Sequence, residues 1–568
     1  MPSPSDKAVP RCLLCSMHCP IGASVDALGH LHTVFGPELG RDQGACVRAL
    51  TAARLVDVPE RIFAARSGGQ ATSADAALRS LVSVAGDRGA DGLAVMLDVN
   101  RPLEGVLAVA ALCREAGVRL CACAPLEDLP LVRAGLTAGA PFEQIAECDF
   151  VLAVGDPFSS HPAVARPVRD MQFGERGNRL VCVDSAWGRT CRGANQAITV
   201  SPFKMAGFMS ALATACGAES VGAALGVKSV EEICGMLDVP AASVASLAAG
   251  LKGAKSPGIV LSHSLGRYAN GAAVAAAVKE LAAAIGAKVW PLLVSTNSAV
   301  LPALKATFGS VELAELIRDA EGGRIRSLFV IGLDPLSMLP AKLWQTLSEG
   351  AELLGWAGSL ESDVCGQARH VLPLAFPWEE GGTVLGPTGK PAESPAWLAA
   401  PPTVLTLKDL VGKAVSYAGV ASAPAPGVDA LLERAPDAAP TEELIGPEIL
   451  EASEAGEGEA LLVGASEPQG YTGGLSLASS NWQRRLAAEE AAVLSLELAA
   501  ELGITGRGAV ALTNGAETTV PCRTADGGEG RLVALPAHWD VLRELLQWRG
   551  ADGAVEPAPA LVDIRKAE

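Results

Sequence analysis

From about residue 75 to about residue 400 the chain alternates short, continuously apolar runs with longer stretches of helical period. The apolar runs cover residues 92–97, 118–121, 150–155, 180–184, 259–262 and 328–332, and residues 106–117 carry helical spacing. Apolar strands without polar alternation are buried on both faces, so the pattern predicts parallel sheets covered by helices. Ligands of such sheets sit beyond the carboxyl ends of the strands. Two strand ends are alike: Val154-Gly155-Asp156-Pro157 and Ile331-Gly332-Leu333-Asp334-Pro335 each read strand, glycine, Asp-Pro. The repetition suggests two related halves, while Gly and Pro also punctuate ordinary turns. Residues 416–460 break the pattern. Ten acidic residues stand there against one arginine, among many Ala and Pro, and the segment reads as a solvated linker.

Composition narrows this picture. The 568 residues suffice for several domains, and 49% hydrophobic against 19% charged residues excludes a disordered chain. Only 4% are aromatic while 61 are glycine, which suits tightly packed α/β layers better than an aromatic-rich sandwich. Lys and Arg number 45 against 63 Asp and Glu, a formal charge of −18 that argues against general nucleic-acid binding. No uncharged apolar run of about 18 residues occurs, so no membrane insertion is expected. The first residues lack the apolar core of a signal peptide, and a cytoplasmic protein is the expectation. Fourteen cysteines are too dilute in this length for a disulfide scaffold.

Four cysteines stand apart: Cys12, Cys15, Cys19 and Cys46, spaced C-x2-C-x3-C-x26-C. Three thiolates on one tight loop, closed by a fourth from a distant segment, is the usual way of holding a [4Fe–4S] core, with one thiolate per iron. Zinc is the main competitor, although a zinc ribbon more often shows two C-x2-C knuckles and only one is present. His18 is a further candidate ligand, and a set of plain buried cysteines is the bland alternative.

The cysteine spacing, followed by Cys46-Val47-Arg48 and Val58-Pro59-Glu60-Arg61-Ile62, resembles the N-terminal domain of the molybdopterin oxidoreductases. That family includes formate dehydrogenases, nitrate reductases, formylmethanofuran dehydrogenases and the large iron–sulfur subunit of respiratory complex I. The resemblance implies a small iron–sulfur domain (1–65), two interleaved Rossmann-like α/β domains (66–205 plus 351–400, and 206–350) and a C-terminal β-barrel (461–568), with the acidic Ala/Pro linker read from composition (401–460) outside it. In such a protein each half clasps one pterin dinucleotide. Gly155 through His161-Pro162 resembles the first phosphate-side loop, and Gly332 and Asp334 lie in the second. Asp184, at a strand end, resembles the carboxylate that reads a guanosine ribose. Val371-Leu372-Pro373 with Trp378-Glu379-Glu380-Gly381-Gly382-Thr383 resembles the family's E-x-G-T loop. Residues 498–504, Gly515 and Leu535-Pro536-Ala537-His538 resemble its barrel.

The chain also departs from the family. Catalytic members bind molybdenum or tungsten through the pterins, and many add a protein ligand in the loop where Cys121 and Cys123 stand. Here the neighbours are alanine and proline, and thiols without an activating partner are inert. Arg48-Ala49 replaces the family's Lys-Gly, and Arg is not interchangeable with Lys in a tight relay. Asn297 lacks the glycine that normally follows it. Two functions therefore stand. One is a [4Fe–4S] electron-transfer subunit on a degenerate scaffold; the other is a catalytic molybdenum or tungsten bis-pterin oxidoreductase of the formate dehydrogenase type. A purely structural member is the weaker third. Either redox role implies partner subunits carrying iron–sulfur or flavin centres, docked near residues 1–65. Leu13, Leu14 and Met17 are candidates for that contact or for packing over the cluster, and Arg11 and Arg48 for steering acidic partners.

Overall fold

The computed structural model describes residues 10–27, 31–34, 46–227, 229–264, 268–419, 425–450, 454–465, 489–525, 530–536, 539–549 and 555–567. Strands β1 (Gly22–Val25) and β2 (Leu31–Val34) form an antiparallel hairpin beside the cysteine loop. Next come β3 (Ala65–Ser67), β4 (Gln70–Thr72), helix α1 (Ala74–Arg88), β5 (Leu93–Asp98), α2 (Leu103–Ala116) and β6 (Arg119–Cys123). The chain then builds a separate unit from β7 (Phe150–Val154), α3 (Ala165–Gly174), β8 (Arg179–Asp184), α4 (Arg189–Gly193), β9 (Gln196–Thr199), α5 (Met205–Ala215), β10 (Pro257–Leu261), α6 (Gly271–Ile285) and β11 (Lys288–Pro291). It returns through β12 (Ser327–Ile331), β13 (Glu352–Gly358) and β14 (His370–Pro373). The hairpin β15 (Gly382–Leu385) and β16 (Pro391–Ser394) and helix α7 (Leu407–Ala418) follow.

The first sheet has the order β4-β3-β14-β13-β12-β5-β6, and the second β11-β10-β7-β8-β9. All pairs in the second are parallel, and in the first only β3 runs against its neighbours, β14 and β4. Each is doubly wound, with one point where the strand order reverses: between β5 and β12, and between β7 and β10. Every residue of β5, β7, β10 and β12 is buried, as their apolar runs require.

This connectivity corrects the expected boundaries. Strands β7, β8 and β9 belong to the second sheet, and β12 to the first. The insertion therefore occupies roughly the span from β7 to β11, rather than 206–350. The similar strand ends of β7 and β12 mark the first strand of one unit and a middle strand of the other, so they cannot locate the crossing points. The crossing is clasped by Asp128. Its buried carboxylate accepts hydrogen bonds from Val294 N–H (2.7 Å), Ser295 N–H (2.9 Å) and the Ser298 hydroxyl (2.7 Å).

The expected linker is also corrected. Helix α7, opened by a Thr406–Asp409 capping box, packs its apolar face with α1 and α2 on the first sheet. Leu431 joins that core, and Ile445, Ile449 and Leu450 join the core beneath α5 and α6. The acids among them lie on the outer side, so local composition masked a few well-placed anchors. Strands β17 (Glu459–Ala465), β18 (Ala492–Leu494), β19 (Arg507–Asn514), β20 (Ala516–Thr524) and β21 (Leu532–Pro536) begin the C-terminal unit. The hairpin β22 (Gln547–Arg549) and β23 (Glu556–Ala558) precedes β24 (Ala560–Lys566), which closes a barrel of order β17-β21-β18-β20-β19-β24. Ala537 and His538 lie outside the described residues. Among the described residues no helix is long and apolar enough to cross a membrane.

Buried charge fastens the N-terminal segment to this body. Arg61 bonds Glu379 at 2.7 Å with both side chains fully enclosed, and its guanidinium lies 4.2 Å from the centre of the Phe376 ring. Glu379 also accepts the Phe376 N–H, which leaves its charge committed to this one site. Removing one partner of a buried pair strands the other. Arg61→Met is expected to lower stability by about 3 kcal/mol or more, and Arg61→Met with Glu379→Gln to recover part of that loss. Denaturant unfolding followed by near-ultraviolet circular dichroism checks both.

Candidate functional site

The cysteine loop has no core of its own and is built against the second sheet. Cys12 N–H donates to the Cys19 carbonyl (2.9 Å), closing the loop on itself. Ser16 N–H donates to the Leu293 carbonyl (3.0 Å), and Leu293 N–H returns a bond to the Ser16 hydroxyl (3.0 Å). His161 reaches the same Leu293 carbonyl through Nε2 (2.8 Å), so that nitrogen carries the proton, and Nδ1 meets the Ser160 hydroxyl (3.1 Å). Burial, with Arg48 adding to it, holds His161 down to about 3, so the ring is neutral. His18 adopts a left-handed backbone (φ 44°) and turns to the Thr296 hydroxyl at 2.9 Å. His18 does not line the pocket described next.

That pocket, about 300 Å3 with its open mouth included, is lined by Cys12, Cys15, Cys19 and Cys46, together with Arg48 and His161. The structure thus brings together all four cysteines of the motif. Burial pushes the Cys12 and Cys19 thiols well up, with the neighbouring cysteines adding to it. Burial raises Cys15 to about 11, with Arg48 pulling the other way. Among the described residues no three His, Cys, Asp or Glu side chains converge closely enough to hold a single metal ion. The sulfurs stand around a space rather than around a point. Leu13, Leu14 and Met17 are buried, and Arg48 is buried as well.

The two glycine loops lie at the carboxyl ends of β7 and β12, where the strand orders of their sheets reverse. Gly155 and Gly332 both have φ +81°, and both are closely approached by the protein's own side chains. A Cβ at Gly332 would stand 2.5 Å from Arg101 Nε and 3.2 Å from Asp98 Cβ. Arg101 is held there by Glu380 (2.7 Å) and the Ala375 carbonyl (2.9 Å), with both charged side chains buried. Burial lifts Glu380 to about 7, against the pull of Arg101. Asp334 accepts from Leu336 N–H (3.1 Å) and is raised by burial to about 6. At Gly155 a Cβ would meet Ser264 Oγ at 2.4 Å and Ser262 Cβ at 3.0 Å. Nearby, Asp184 accepts from the Tyr268 hydroxyl and Ser185 N–H, both at 2.8 Å. The Ser185 and Ser264 hydroxyls are buried without a hydrogen-bond partner among the described residues.

The remaining candidates are scattered. Cys121 and Cys123 alternate onto one face of β6, 3.8 Å apart, in an apolar core away from the four-cysteine pocket. The hydrogen bond shared with Cys121, then burial, raises Cys123 well above its ordinary value. Asn297 is a clamp. Its amide donates to the Val99 and Arg101 carbonyls (3.1 and 2.7 Å) and accepts from Leu385 N–H (2.9 Å). Sequence reading missed Arg101 and Asp128. The signal for Arg101 was its place just after β5, at the reversal point; Asp128 carried none.

Comparison with protein-family models gives no match, and none of the curated proteins matches the chain. Among solved structures, acetylene hydratase from Pelobacter acetylenicus has a similar fold, with a TM-score of 0.74 at 12% identity, covering 99% of this chain and 100% of that one. The parallel sheets and closed C-terminal barrel are consistent with the molybdopterin oxidoreductase fold. At this identity the likeness is one of architecture.

Asn297→Ala removes three hydrogen bonds and leaves two carbonyls and one N–H buried. It is expected to cost about 2–4 kcal/mol in stability. Thermal unfolding of the variant measures this loss, and an unchanged midpoint would contradict the clamp.

Proposed function

We propose that the chain is a one-electron transfer unit in which Cys12, Cys15, Cys19 and Cys46 hold a single [4Fe–4S] cluster. The observation that carries this reading is the convergence of four cysteines from two segments on one pocket, Cys12, Cys15 and Cys19 buried and Cys46 half-buried. An all-sulfur donor set standing around a space suits a multinuclear core. A tetrahedral zinc ion instead needs four ligands about 2.3 Å from one point. When bound, such a cluster supplies a site that takes and gives single electrons. The protein's own residues do the rest. Arg48 places a positive charge beside the thiolates, while Leu14 and Met17 keep water from the sulfurs, and burial and hydrogen bonding tune a potential. His161, neutral and doubly hydrogen-bonded, positions the loop.

The body supports the degenerate-scaffold form of this reading. In the first crevice the space against Gly332 is taken by Arg101, pinned by Glu380, and these residues do not fit a pterin pyrophosphate approaching that glycine. A one-electron unit also needs a second redox centre, on an iron–sulfur or flavin subunit, to complete any reaction. The second reading, a catalytic molybdenum or tungsten pterin oxidoreductase of the formate dehydrogenase type, is favoured by the second crevice alone. There Asp184 and the unpartnered hydroxyls of Ser185 and Ser264 offer polar groups to a ligand.

Elemental analysis of anaerobically purified protein tests both. About four irons per chain, without molybdenum or tungsten, are expected. Cys46→Ala should lose or degrade the cluster, read by electron paramagnetic resonance. Stoichiometric zinc without iron would defeat the proposal, and molybdenum or tungsten near one per chain would establish the second reading instead.

A further inference from the structure

With the hydrophobes of the cysteine loop buried, a redox partner must meet a different surface. Helix α3 begins directly after His161, Pro162 and Ala163, which line the cysteine pocket. It covers the same face of the second sheet as the cysteine loop: Val168 and Met171 share one core with Cys12, Cys15 and Cys19. Its outer side carries Arg166 and Phe173, two turns apart, and the Phe173 ring is 75% exposed. Helix α4 lies beside it, locked by the bond from Arg169 to the Gly193 carbonyl (2.8 Å). Arg189 and Arg192 of α4 are exposed, as is Trp187 just before it.

Residues 161–195 hold six arginines against two exposed acids, Asp170 and Glu175, while the third acid, Asp184, is buried. Asp170 faces Arg166 at 3.7 Å. The adjoining turn Phe142–Glu147 adds Glu143 and Glu147, the latter paired with Lys288. The surface stays positive on a chain whose formal charge is −18. Against that overall negative charge, a local excess of arginine favours the approach of an acidic partner at this patch. Two exposed aromatics among arginines are the composition of a protein contact surface.

We propose that the outer face of α3 and α4 docks a small acidic iron–sulfur electron carrier, bringing its centre against the cysteine pocket. The proposal rests on the electron-transfer reading for its purpose, but its binding contacts are independent of the cluster. The test measures binding of an acidic [2Fe–2S] ferredoxin to the full chain at low and high salt. Wild-type protein should bind with strongly salt-dependent affinity. Arg166→Glu with Arg189→Glu and Arg192→Glu should weaken binding about tenfold or more, mainly through the association rate, and flatten the salt dependence. Phe173→Ala, which removes an exposed ring without touching the core, should weaken it through faster dissociation, and the corresponding triple Gln variant guards against misfolding. Equal affinity of wild type and variants would overturn the proposal. So would failure of the wild type to bind ferredoxin, including the case where the arginines bind anionic vesicles instead. Iron content of the same samples reports separately: arginine-dependent binding by iron-free wild-type protein would uphold the docking surface and defeat the cluster.

Discussion

The carbonyl of Leu293 accepts hydrogen bonds from Ser16 N–H and from His161, while Leu293 N–H returns one to the Ser16 hydroxyl. Three segments meet there: the cysteine loop, the turn after β7 and the exit from β11. A loop of ten or so residues cannot bury enough apolar surface to order itself, so its geometry is borrowed from this junction. The positions of the three loop thiols, Cys12, Cys15 and Cys19, depend on it. His161 donates to the same carbonyl, while burial, with Arg48 adding to it, keeps the ring neutral. Because the junction uses the far end of the inserted unit, the pocket exists only when the second sheet is complete.

Charge is handled differently at the two strand-order reversals. At the first, Arg101 and Glu380 fill the crevice with a buried pair, and Arg61 and Glu379 stand beside it from the next residue along. Burying ions is costly, and such pairs rarely add net stability over apolar packing; they fix a unique arrangement instead. Here they fix how the N-terminal segment, the β5 exit and the β14 exit meet. At the second reversal hydroxyls stand around two buried carboxylates, Asp156 and Asp184. The two crevices therefore differ in what each can accept, although the strand ends that lead into them read alike.

Much of this was legible in the sequence because it depends on period and spacing. Fully apolar runs became the central strands, and the cysteine motif gave the pocket. What was not legible depended on long-range partners. The insertion point could not be read, since Gly155 and Gly332 look the same whether a strand opens a sheet or joins one midway. The acidic stretch hid Leu431, Ile445 and Ile449, whose anchoring value comes from the surfaces they reach. Asn297 stood out for chemistry and proved to be a clamp, because an amide's partners are backbone groups from distant segments.

The interleaving has a consequence for the order of synthesis. The inserted unit has all five of its strands once the ribosome has passed Pro291, and it can close its sheet while the chain is still growing. Strands β5 and β6 emerge earlier, yet the neighbour of β5, β12, does not exist until residue 331 has been made. Throughout that interval β5 is an apolar edge on a nascent chain, the kind of surface that mispairs and draws chaperones. Closure of the first sheet on β5 therefore has to follow completion of the inserted unit and the synthesis of β12.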